Sequence, residues 1–232
     1  MSIAAGAATA ARPRKRPVRD SERTQAAILA AATQEFARHG LGGARVDRIA
    51  ERARTNKRML YYYFGSKDAL FLAVLEATYA RIRAAEQALS LLDVDPEESV
   101  RRLVRFTWEY YLANPEFLTL LNSENLHRAH HLKRSRNVLA MNSPVIETLR
   151  RVLNRGVQDG VFRRGVDPLQ LYISIAALSY FYLGNNHTLS AVFGRDLSTP
   201  GARRERLAHM LAVVLGYLTP PSLTARGGGA DN

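Results

Sequence analysis

The 232-residue chain contains no cysteine, and that absence removes several kinds of chemistry at once. Disulfide staples, thiolate metal sites and a cysteine nucleophile are excluded, and a reducing, cytoplasmic compartment is the natural expectation. Long apolar runs are missing too. The most apolar stretch, "LQLYISIAALSYFYLG", falls short of the roughly 20 residues that cross a bilayer, and Asn185, Asn186 and His187 follow it, so no membrane partner is expected. The first residues, "MSIAAGAATAARPRKRPVRD", put small apolar residues ahead of the charge, the reverse of a secretory signal, and read as a disordered basic tail over 1–20. Catalytic signatures are also lacking. There is no P-loop, no G-x-S-x-G and no H-E-x-x-H, and "GLGG" at 40–43 reads only as a loop. No enzyme and no cofactor are expected. A helical hydrolase or isomerase would need a polar constellation in the C-terminal half, and none assembles.

Positive charge is plentiful and unevenly spread. Of the net +12, residues 1–67 hold +9, from 14 Lys/Arg against five acids, whereas 68–232 hold +3. A basic footprint confined to one end suits a polyanion such as double-stranded DNA. Hydrophobic residues make up 47% of the chain, enough to bury a core. No segment alternates with period two, so the fold class is all-α. "SERTQAAILAAATQEFARHG" repeats Thr24, Ile28, Ala32 and Phe36 at four-residue steps, which predicts an amphipathic helix capped by Asp20 or Ser21 and closed by Gly40. "LGGAR" reads as a loop, and "VDRIAERA" as a short helix with Ile49, Ala50 and Ala53 on one face. "NKRMLYYYF" reads as a second short helix capped by Asn56, and a long helix follows from Ser66. Beyond Pro96 the pattern predicts helices near 97–113, 115–130, 134–158, 167–192 and 201–218. Asn114-Pro115, the segment around Asn142-Ser143-Pro144, "DGVFRRGVDP" and "GRDLSTPG" serve as punctuation, and a Pro/Gly-rich tail follows over 220–232.

The run Tyr61-Tyr62-Tyr63-Phe64 would suit a strand on propensity alone. Its neighbours supply no partner strand, and a helix divides the aromatics sensibly. Leu60, Phe64, Met59 and Tyr63 turn to the core, while Tyr61 and Tyr62 point to the edge. A phenol there offers a hydroxyl on a rigid stem to a phosphate oxygen, with the Lys67 cation beside it. Two short helices crossing at the small Ala50 make a helix-turn-helix unit.

In order and spacing, "ILAAATQEFARHG", "VDRIAERA" and "MLYYYFGSKDALFLAVL" resemble the DNA-binding domain of the tetracycline-repressor (TetR) family of transcriptional regulators, over about Arg23 to Glu76. The resemblance implies a helix-turn-helix domain at 21–67 and a helical effector-binding and dimerisation domain at 68–219. It implies that 46–53 and 56–63 are the reader, with the second helix in the major groove. Thr55, Asn56, Lys57, Arg58 and Met59 match the groove-facing segment, and Tyr61, Tyr62 and Lys67 match phosphate contacts. Val46, which opens the first reader helix, joins the candidate contacts. Three positions depart from the family pattern. Arg54 stands where the turn usually has glycine, Thr55 replaces a buried aliphatic, and Ala44-Arg45 replace the usual Ser or Thr cap. A left-handed Arg54 would cost roughly 1–2 kcal/mol, which a phosphate contact could offset. Arg45, Arg48 and Arg58 either read guanine edges or hold phosphates. The tail cations Arg12, Arg14, Lys15, Arg16 and Arg19 serve either as a minor-groove arm or as a solubiliser.

The resemblance further implies a homodimer through helices about 167–192 and 201–218 on a palindromic operator, and an unidentified small-molecule effector that releases it by population shift. Those helices carry more apolar surface than one stripe needs: Leu171, Ile175, Leu178, Phe181 and Leu189, then Leu207, Leu211, Val214, Leu215 and Leu218. Candidate effector contacts are Trp108, Tyr111, Asn122, Asn125 and Tyr180, although aromatics at such spacings also build cores. His127, His130 and His131 sit at helical spacing with only Glu124 near, so a helix surface or end is expected and no metal site. "NPEFLTLLNSENLHRAHHLKRS" and "GVFRRGVDP" look like a subgroup found among regulators of aromatic and N-heterocycle catabolism. The competing reading is an architectural DNA binder with no effector, for which a filled, dry C-terminal domain would speak.

Overall fold

Helix α1, Arg16–Gly43, carries Ile28, Ala31, Ala32 and Phe36 on one face, and all four are buried. The computed structural model describes residues 16–220. The tail cations Arg12, Arg14 and Lys15 and the C-terminal tail past Pro220 lie outside them. The helix begins earlier than the Asp20 or Ser21 cap expected from sequence. Thr24 Oγ1 donates to the Asp20 carbonyl at 2.8 Å, a bond inside the helix, so Asp20 is interior rather than cap. Gly40 breaks the regular backbone at φ 63° and ψ 176°, a conformation only glycine adopts readily, and residues 41–43 form a further turn where a loop was expected.

Two short helices follow, α2 (Val46–Arg52) and α3 (Lys57–Phe64), then the long α4 (Lys67–Gln87). The side chain of Asn56 accepts from Met59 N–H, the cap expected from sequence, and that of Ser66 from Ala69 N–H, so Ser66 caps the long helix it was expected to begin. Ile49, Ala50 and Leu60 seal against Ile28, Phe36, Leu70, Phe71, Val74 and Leu75 in one closed core. The first two turns of α4 therefore belong to this core. Leu120, from much further along the chain, joins it.

The remainder is a helical bundle. It comprises α5 (Pro96–Ala113), α6 (Pro115–Leu126), α7 (Arg136–Gln158), α8 (Pro168–Gly184), α9 (Asn186–Phe193) and α10 (Pro200–Leu218). Four of these helices, α5, α6, α8 and α10, open with proline in the first turn, where the missing N–H costs nothing. Val100, Leu103, Val152, Ile175, Met210 and Val214 are the centre of its core. Three boundaries differ from the sequence reading. α6 stops at Leu126 instead of reaching 130, because the buried Glu124 carboxylate captures the N–H groups of His131 and Leu132 and folds the chain back through left-handed Arg128 and Ala129. The expected helix 167–192 divides at Asn185, whose side-chain amide donates to the Phe181 carbonyl at 2.9 Å. Pro144, taken as punctuation, lies inside α7.

Candidate functional site

α2 and α3 cross at Ala50, whose carbonyl accepts Thr55 N–H at 3.0 Å. The turn between them needs one residue at positive φ. Arg54 supplies it at φ 52°, the left-handed conformation that glycine would have adopted without strain. The helices then divide as their spacing demands. Leu60 is 2% exposed and Tyr63 and Phe64 are packed against the core, while Tyr61 and Tyr62 are 49% and 77% exposed. Arg54 and Arg58 are exposed and Lys67 is half-buried at the head of α4. None of the three makes a side-chain hydrogen bond or ion pair among the described residues. Asn56 is exposed but its side chain is committed to the cap, Thr55 and Met59 are half-buried, and Val46 packs against the core.

Two acids that the sequence reading passed over organise the rest. Glu35 of α1 is buried. Its Oε1 accepts Arg48 Nε at 2.7 Å and the backbone N–H of Arg45 at 3.0 Å, and His39 lies 3.9 Å from Oε2. Burial by itself pushes this carboxyl up; the Arg45 N–H and the Arg48 guanidinium outweigh it and hold the group below its ordinary value. α2 has no capping side chain of its own; Glu35 instead satisfies the N–H of the cap residue Arg45, the part that the reciprocal glutamate plays in a capping box. Arg48 also donates to the Gly43 carbonyl and is thus turned inward. Asp47 pairs with Lys57 and, at 3.8 Å, with Arg45. One signal for Glu35 was available: it is the acid beside Ala32 and Phe36 on the apolar face of α1.

In the bundle, Trp108 and Tyr111 are buried. Trp108 packs on Tyr182 at a centroid distance of 5.7 Å, and Tyr111 stacks on Phe117 at 5.4 Å. Tyr180 donates to Asn122 Oδ1, while Asn125 is exposed. The fold thus joins Asn122 to Tyr180, which packs against the small cluster that holds Tyr111 and Phe117, whereas Trp108 belongs to the main bundle core. A cavity of about 250 Å³ opens elsewhere, between the end of α4 (Arg83, Glu86), the connection through Leu91 and Leu92, and Met141, Pro144 and Val145 of α7. His131 is buried against Glu124 with Nδ1 2.7 Å from Oε2, and its ring meets Phe71 edge-on at 5.1 Å. Among the described residues, no group of three or more His, Cys, Asp or Glu could hold a metal ion.

The outward faces of α8 and α10 are apolar. Leu169, Ile173 and Phe181 follow one another at multiples of four residues and are exposed, Phe181 at 59%, and Val213 and Tyr217 are exposed on α10. Of the residues offered from sequence as surplus, Leu171, Ile175, Val214 and Leu218 are buried in the bundle's own core instead. Phe181, from the same set, lies at the surface instead.

Two family descriptions match the chain: "Bacterial regulatory proteins, tetR family" over residues 28–74 and "Tetracyclin repressor-like, C-terminal domain" over 96–214. The HTH-type transcriptional repressor NicS of Pseudomonas putida KT2440 is 41% identical over 195 residues, covering 84% of this chain and 92% of that protein. The HTH-type transcriptional repressor SCO4008 of Streptomyces coelicolor is 44% identical over 108 residues, 47% of this chain and 53% of that one. Among solved structures, the putative transcriptional regulator SCO4942 from Streptomyces coelicolor superposes with a TM-score of 0.63 at 27% identity, over 85% of this chain and 99% of that one. No described helix is long and apolar enough to cross a membrane.

Proposed function

The chain belongs to the TetR family of bacterial regulatory proteins, and from that premise we propose a homodimeric repressor that binds a palindromic operator through α2, α3 and Lys67 and lets go when a small molecule enters the helical bundle. It is a helix-turn-helix DNA-binding transcriptional repressor and not an enzyme. The observation that carries the assignment of contacts is the set of exposed Arg54, Arg58, Tyr61 and Tyr62 with the half-buried Lys67, which is basic, hydroxyl-bearing and makes no side-chain hydrogen bond or ion pair among the described residues. Lys67, Tyr61 and Tyr62 hold phosphates, and Arg58, on the first turn of α3, reaches base edges. Arg48 braces α2 through Glu35. Lys57 and Arg45 exchange Asp47 for phosphate when the duplex arrives.

Dimerisation supplies the second half-site that a short reader helix requires. The exposed stripe of Leu169, Ile173 and Phe181, with Val213 and Tyr217, is the apolar surface available for it. The resemblance of residues 114–135 to regulators of aromatic and N-heterocycle catabolism favours a small ring compound as effector. A footprint on the DNA flanking the protein's own gene tests the reading. Two protected half-sites related by a two-fold axis are expected; a uniform, sequence-independent coating supports the architectural alternative.

A further inference from the structure

Three departures from ordinary helical design meet at the cavity beneath the end of α4. Ser90, on its wall, adopts φ 49° without being glycine, and Pro144, opposite, stands inside α7 where it removes a helix hydrogen bond. The third is a buried ion cluster whose hydrogen bonding is incomplete. Arg83 Nη2 donates to Tyr172 Oη at 2.5 Å, and Tyr172 donates in turn to Glu86 Oε1 at 3.1 Å. Arg83 Nη1 and Glu86 Oε2 lie 2.7 Å apart, within ion-pair reach yet misaligned for a hydrogen bond. Arg83 Nε, Arg83 Nη1 and Glu86 Oε2 are therefore buried without hydrogen-bond partners. Such groups are costly, and functional sites are where proteins keep them.

The unmatched groups define what would complete them: an acceptor for the Arg83 N–H groups and a donor for Glu86 Oε2, side by side. Around them Leu91, Leu92, Met141 and Val145 offer an apolar wall. The space of about 250 Å³ holds one substituted ring, since a cavity of roughly 150 Å³ already admits benzene. We propose that the effector occupies this cavity and is a neutral single-ring molecule with a carbonyl beside a ring N–H, an edge of the cyclic-amide kind. The carbonyl oxygen accepts from Arg83 and the ring N–H donates to Glu86, whose side chains turn about their terminal torsions to meet it. Trp108, Tyr111 and Asn125 take no part. This assignment rests on the repressor reading above, because an effector presupposes an operator to leave.

The full-length protein is titrated with 2-pyridone, with N-methyl-2-pyridone, which lacks the donor, and with benzoate, which carries a charge in place of the amide edge. Calorimetry and thermal shift report binding, and duplex affinity is measured in the same samples. The comparison variant carries Arg83→Met, Glu86→Met and Tyr172→Phe together. Removing every member of the cluster leaves no orphaned charge and is far gentler to the fold than removing one. A second variant, Val145→Phe, fills the cavity and leaves the cluster intact. The expected result is that 2-pyridone binds and weakens duplex binding, that N-methylation and the triple variant each cost about tenfold or more in affinity, and that Val145→Phe abolishes it. Absence of 2-pyridone binding overturns the assignment. So does equal binding of benzoate or the N-methyl compound, binding that survives in both variants, or binding that leaves duplex affinity unchanged. Failure of the ligand-free protein to bind duplex overturns the repressor reading itself, so the two failures are separable.

Discussion

Glu35 and Glu86 are both buried carboxylates on helices, each within reach of an arginine, and they end in opposite states. In the reading head, one oxygen of Glu35 serves Arg48 and the Arg45 N–H together, and the group sits below its ordinary pKa. In the bundle, burial pushes Glu86 up to about 7 against the pull of Arg83 and the Tyr172 hydroxyl, and Oε2 is held by the Arg83 charge at 2.7 Å without an aligned hydrogen bond. The contrast separates a part that must hold one shape from a part built to accept something. A buried carboxylate whose hydrogen bonds close within the protein fixes geometry; one that keeps an oxygen without an aligned donor beside a cavity can turn to a ligand.

The comparison breaks most visibly at Glu35. Glu35→Ala leaves the Arg45 N–H without its acceptor and the part-exposed Arg48 with only the Gly43 carbonyl, and should cost about 1–3 kcal/mol by denaturant unfolding, with loss of duplex binding; a cost under about 1 kcal/mol would remove Glu35 from the account. The two carboxylates should next part company in pH. A carboxyl raised from 4.5 to about 7 on folding stabilises most below pH 4.5, and that contribution is lost as pH rises toward 7. At about 1.4 kcal/mol per unit the loss is on the order of 3 kcal/mol. Glu35 has the opposite sign: its contribution is present above the unfolded-state pKa and disappears as pH falls through its depressed folded value. The Arg83→Met, Glu86→Met, Tyr172→Phe protein should therefore lack the decline between pH 4.5 and 7 but keep the acid limb. Should both proteins trace the same curve, Glu86 is not the group at work.

Smaller effects sharpen the reading head alone. Arg58→Ala should cost about 1–3 kcal/mol of operator binding and relax sequence preference at one position of each half-site, seen by competition with altered duplexes. Equal loss on every sequence would make Arg58 a phosphate contact. Arg54→Gly relieves the left-handed strain and should stabilise the fold by up to about 1 kcal/mol, while duplex affinity falls if the guanidinium meets a phosphate.

Much of this was legible in the amino-acid sequence because it is local. The caps at Asn56 and Ser66, the inward and outward division of Leu60 and Tyr61-Tyr62, and the left-handed Arg54 all follow from residues within a turn of one another. What escaped depends on distant partners. Glu35 meets Arg45 and Arg48 across a turn, and Glu124 ends α6 by reaching residues seven and eight further on. The cavity joins α4 to α7, more than fifty residues apart, so no window of sequence displays Arg83 beside Val145. On α8 and α10 both faces are apolar, and periodicity cannot say which one turns inward.

Everything in the functional reading requires the edge of Arg54, Arg58, Tyr61, Tyr62 and Lys67 to lie on phosphates, and salt dependence measures that directly. Affinity for the operator duplex, titrated across ionic strength, should fall linearly on logarithmic axes, and Lys67→Ala should lower the slope by about one while weakening all sequences alike. A flat line for the unaltered protein, or an unchanged slope for Lys67→Ala, would contradict it.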